Sequence, residues 1–109
     1  MERLSKKSDF DELKKAGRRF AGRYLSIVFV RRGSEGPAVV GFAISKRVGN
    51  AVVRNRIRRR LRAISASGEA AFTPGSYLIA VKPSAKESGY WELKSDVDSV
   101  LRKIGASSG

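Results

Sequence analysis

Two periods run through the chain. Between Ser8 and Gly17, Phe10 and Leu13 stand three apart and share one helical face. Ser8 is placed to cap that helix, Asp9, Asp11 and Glu12 fall where acids favour the positive end of the helix dipole, and Gly17 offers a left-handed stop. Residues 23–31 then alternate: Leu25, Ile27 and Phe29 point one way, Tyr24, Ser26, Val28 and Val30 the other. Residues 33–37 read as a turn and 38–45 as a second strand, so the two strands are expected to form a hairpin. In the second strand Val40, Phe42 and Ile44 share a face. The small residues opposite, among them Gly41, Ala43 and Ser45, leave room for a shallow cleft.

The helical period returns over residues 51–65, where Val53, Ile57, Leu61 and Ile64 form one stripe. Residues 76–82 make a third strand ended by Pro83. A last helix covers 90–104, with Leu93, Val97, Val100, Leu101 and Ile104 on its apolar face. The order α-β-β-α-β-α describes an α+β fold, a small sheet covered by helices. The 109 residues suit a single domain, with 1–6 and 105–109 expected to be loose ends.

Composition narrows the chemistry. With neither cysteine nor histidine, disulfides, thiolate zinc sites, thiol catalysis and imidazole acid–base catalysis are absent. No run approaches the roughly 20 apolar residues of a membrane span, and the charged start lacks the apolar core of a signal peptide. The expectation is a cytoplasmic protein that needs no membrane.

Charge changes the picture most. There are 23 basic and 10 acidic residues, and the excess is uneven: residues 46–62 hold eight basic side chains and no acid, while residues 63–109 hold five of each sign. Six arginines fall within 54–62. On a helical wheel the apolar stripe takes about 80°. Arg54, Arg58 and Arg62 form a row beside it, Asn55 and Arg59 lie opposite, and Arg56 and Arg60 return along the far flank. Like charges at i, i+4 (54/58, 58/62, 56/60) oppose helix formation with no acid to relieve them. Such a surface suits phosphate, which guanidinium groups meet in a planar two-point geometry. Asn55 adds a group able to read a base edge or a 2′-hydroxyl. Lys46 and Arg47 extend the patch. Gly49 and Asn50 open the helix, either as a plain turn and cap or with N–H groups offered to a phosphate. Asp96 and Asp98, the pair a stand-alone nuclease would need for a metal, sit two apart on a helix and read as solvated charges. A small ribosomal protein or general RNA chaperone is the alternative RNA-binding reading.

The segment also resembles a known family. The run Lys46, Gly49, Ala51, Val52, Arg54, Asn55, Arg56, Arg58 and Arg59 matches the signature of the bacterial ribonuclease P protein subunit. Residues 4–10, 40–45 and 77–83 have the family's look, so the likeness covers about residues 3–105. It implies an α-β-β-β-α-β-α order (ribosomal protein S5 domain 2-like), with a further short strand near Arg47-Val48 and an unusual left-handed β-α-β crossover. It implies the protein component of a ribonucleoprotein endoribonuclease that removes the 5′ leader from precursor tRNA. The catalytic centre and its magnesium belong to the RNA subunit, so the protein itself has no catalytic or metal-binding residues and requires no protein partner. By position, Lys46, Arg47, Asn50, Arg54, Asn55, Arg56, Arg58, Arg59, Arg60 and Arg62 become RNA contacts. Phe10, Lys14, Tyr24, Ser26 and Val28 become the cleft for the single-stranded leader. At Lys14 and Val28 the chain lacks aromatics common in the family, which implies a cleft that grips more by charge than by stacking.

Overall fold

A computed structural model describes residues 2–4, 7–31, 38–67 and 72–107. Its elements run β1 (Glu2–Arg3), α1 (Lys7–Ala16), β2 (Arg18–Ala21), β3 (Leu25–Arg31), β4 (Val39–Ala43), α2 (Ala51–Ser67), β5 (Gly75–Val81), a 3-10 turn at Pro83–Glu87 and α3 (Tyr90–Ser107). This is the α-β-β-β-α-β-α order with a two-residue strand added in front. The sheet order is β1-β4-β5-β3-β2.

The expected hairpin is not there. β5 lies between β3 and β4, antiparallel to the first and parallel to the second, so β4, α2 and β5 form a crossover unit. The reason is in β5 itself. Tyr77, Ile79 and Val81 feed one core and Leu78 the other, and a strand apolar on both faces is best paired on both edges. The turn expected at 33–37 lies outside the described residues.

The extra strand is also displaced. Lys46–Val48 is a turn, and the third strand of the order is β2, paired with β3 from Arg18↔Phe29 to Ala21↔Ser26. Its Arg-Arg-Phe-Ala sequence hides it, because on an edge strand only Phe20 needs to pack.

Each face of the sheet has its own core. Leu25, Ile27, Phe29, Val40, Tyr77 and Ile79 meet Ile57, Leu61 and Ile64 of α2 and Leu93, Val97 and Val100 of α3. On the other face Leu13, Leu4 and Val39 are buried, with Phe10, Val28, Val30 and Leu78 packed against them beneath α1. Glu2 and Arg3 pair with Val39 and Val40, the Leu4 N–H donates to Val40 O at 3.0 Å, and α3 continues to Ser107. Gly41 is what admits Leu4, since a Cβ there would stand 2.8 Å from the leucine's own Cβ.

Candidate nucleic-acid interface

Helix α2 starts where Asn50 puts it: its Oδ1 accepts the Val53 N–H at 3.0 Å, an N-cap that satisfies one of the free donors of the first turn. The cap reading of Asn50 is therefore the one its side-chain oxygen follows. Before it, Val48 is fully buried and anchors the turn, while Lys46 and Arg47 stand exposed.

The arginines then divide. Arg60 Nη1 donates to Ser88 O at 3.0 Å and Arg56 Nη2 reaches Lys86 O at 3.5 Å, so both lean on the segment around the 3-10 turn. Arg56 Nε is buried without a partner among the described residues. Arg54 folds back, its Nε donating to Gly49 O. Arg58 Nη1 donates to Asn55 Oδ1 at 2.9 Å, a link one turn long that orients the guanidinium. Arg59 and Arg62 are exposed and have no hydrogen-bond or ion-pair partner among the described residues. The far flank of the sequence-based wheel is thus partly occupied with bracing the fold. The open charge lies on the side of Asn55, Arg58, Arg59 and Arg62.

Between α2, β4 and α1 lies a cleft of about 510 Å³. Phe10 lines it on the α1 side, Arg58, Arg62 and Ser65 on the α2 side, with Gly41 and Leu4 among the residues between them. Of the small residues of β4 only Gly41 lines it, beside Val40 and Phe42, and Leu4 fills the space over the glycine. Most of the other side chains assigned to the cleft are elsewhere. Tyr24 lies just before β3 and packs on the opposite face of the sheet, its hydroxyl donating to Glu92 Oε2 at 3.0 Å. That bond is the main cause holding the phenol above its ordinary pKa. The same bond, after the stronger one from the Gly89 N–H, holds Glu92 below the usual carboxylate range. Ser26 is only 1 % exposed, in a strand paired on both edges, by β2 at Ala21 and by β5 at Ala80. Val28 packs close to Gly17 under the far end of α1, and Lys14 stands exposed one turn past Phe10.

Sequence reasoning missed Arg3 and Ser65 in this cleft. Arg3 was set aside as part of a loose end. Ser65 falls on the edge of the apolar stripe and is 3 % exposed, with its hydroxyl unpartnered among the described residues. Asp96 was also misread. It is buried, and its carboxylate accepts the N–H groups of Arg23, Tyr24 and Leu25 at 2.8, 2.8 and 3.2 Å. Asp98 pairs with Lys94 at 2.9 Å, so the two acids do not act together.

Fold and surface together define a small α+β protein that offers an acid-free arginine face and an adjoining aromatic cleft to RNA. The family model for ribonuclease P matches residues 1–105. The ribonuclease P protein component of Thermobifida fusca is 37% identical, over 98% of this chain and 78% of its own length. That of Acidothermus cellulolyticus is 39% identical, over 94% and 87%. The Staphylococcus aureus RNase P protein structure superposes with a TM-score of 0.86 over 95% of each chain at 23% identity, a likeness of fold. The chain belongs to the ribonuclease P protein family, the protein components of a ribonucleoprotein endoribonuclease, and membership carries association with that enzyme's RNA subunit. The ribosomal-protein alternative is thereby set aside. No helix among the described residues is long and apolar enough to cross a membrane.

Proposed function

We propose that the chain holds the single-stranded 5′ leader of precursor tRNA in the cleft between α1 and α2, while the outer face of α2 rests on the catalytic RNA. The observation that carries this reading is the placement of Phe10 across the cleft from Arg58 and Arg62. An aromatic ring facing two guanidinium groups suits an unpaired nucleotide, whose base stacks while its phosphates meet the charges. Arg58 and Arg62 also line the outer face of α2, so one pair of arginines spans both surfaces. The work takes place in the cytoplasm, to which a chain without cysteine is suited.

Magnesium, in this reading, is held by the RNA. The chain's part is to bind, orient and screen phosphates, which keeps the RNA folded when magnesium is scarce.

The test compares precursor tRNA with tRNA lacking the leader, each bound to the reconstituted holoenzyme. Phe10→Leu keeps apolar packing beneath α1 and removes the ring. It should weaken precursor binding about tenfold and leave the leaderless tRNA unaffected. Equal loss for both RNAs, or none for either, would count against the cleft as the leader site.

A further inference from the structure

Val52 is 73 % exposed on α2, although it belongs to a motif otherwise made of cations, asparagine and helix-opening residues. A single exposed valine is ordinary by itself. Its setting is not. With Asn55, Arg58, Arg59 and Arg62 it lines a shallow depression of about 490 Å³ on the outward side of the helix. Arg59 lies seven residues on, within about 20° of the same line down the helix. The depression has no acid in its lining. The fold makes no use of the side chain, and a β-branched residue is a weaker helix former than alanine.

From this we infer that Val52 is an apolar contact for one unpaired nucleotide of the partner RNA. The face of the base or the C–H edge of the ribose rests on the valine methyls, while the flanking phosphates are met by Arg58, Arg59 and Arg62. A paired A-form helix hides its base faces, so the occupant is a loop, bulge or splayed residue. The inference rests on the reading that the outer face of α2 binds the RNA, and adds a contact whose contribution does not come from charge.

Charge contacts weaken with salt because they release counterions; an apolar contact does not. The experiment is a titration of full-length chain against the ribonuclease P RNA over a series of salt concentrations. Val52→Ala improves helix propensity, so lost affinity cannot come from a weakened helix. It should weaken binding by about three- to tenfold at every salt concentration, with a slope parallel to that of the parent. Val52→Ile should bind at least as well as the parent. Parental affinity for Val52→Ala, or a changed slope, overturns the inference. Arg59→Ala tests the underlying reading separately: the slope should fall by about one, and an unchanged slope there counts against the arginine face whatever Val52 does.

Discussion

Helices α2 and α3 lie side by side on one face of the sheet and bury matching apolar stripes, yet they treat charge in opposite ways. On α3 the acids serve the fold. Asp96 gathers the backbone N–H groups of Arg23 and Tyr24 in the bend and of Leu25 at the start of β3, Glu92 takes the Gly89 N–H and the Tyr24 hydroxyl, and Asp98 holds Lys94. On α2 there is no acid, and apart from Arg56 and Arg60 the cations reach no further than their own helix and the turn before it. Of two helices with similar packing, one has its acids satisfied within the molecule and the other leaves most of its arginines for a polyanion. That contrast separates stability from function residue by residue.

The sharpest way to break the contrast is at Asp96. Asp96→Ala leaves three N–H groups without their acceptor and should cost about 3 kcal/mol, a drop in Tm of roughly 10–15 °C by calorimetry. Below the new Tm the salt slope of RNA binding should be unchanged. The reciprocal change is Arg59→Ala with Arg62→Ala. It should reduce the salt slope by about two and affinity by roughly ten- to a hundredfold, while Tm holds or rises because the 58/62 repulsion is relieved.

Two smaller effects sharpen the α3 side. Glu92 has a folded-state pKa below its unfolded value, so its contribution is present above the ordinary glutamate range and is lost as pH falls through the depressed value. Titration followed by NMR should show Glu92 protonating later than a free glutamate, and Tyr24→Phe should move it partway back. At the bottom of the scale, Lys94→Ala removes an i, i+4 pair that is about one-third exposed and should cost about 0.3–0.5 kcal/mol in urea unfolding.

Much of this contrast was legible in the chain. The stripes of both long helices, the two faces of β3 and the small residues of β4 follow from periodicity, because each is a local pattern facing a continuous core. Strand pairing was not legible. Nothing near residues 23–45 shows that β5, more than thirty residues on, will insert between the two strands. β2 was hidden because an edge strand need not alternate. Asp96 was misread because two acids on a helix look alike until the bend at Gly22 is brought against one of them, where a Cβ would come within 2.7 Å of its oxygens. Tyr24 and Ser26 are not cleft residues for separate reasons: the strand starts at Leu25, two residues later than alternation suggested, which leaves Tyr24 in the bend before it, and the serine is buried in the sheet. The split among the arginines depends on carbonyls of Lys86 and Ser88, which no wheel of α2 contains.

The most direct test of the whole account is cleavage of precursor tRNA at low magnesium by a bacterial ribonuclease P RNA, with and without this chain. Cleavage at the 5′ mature end should depend on the chain and should fall when Arg59 and Arg62 are both replaced by alanine. If the chain binds that RNA tightly and cleavage is the same with or without it, the account of α2 as the working surface of a ribonuclease P protein is contradicted.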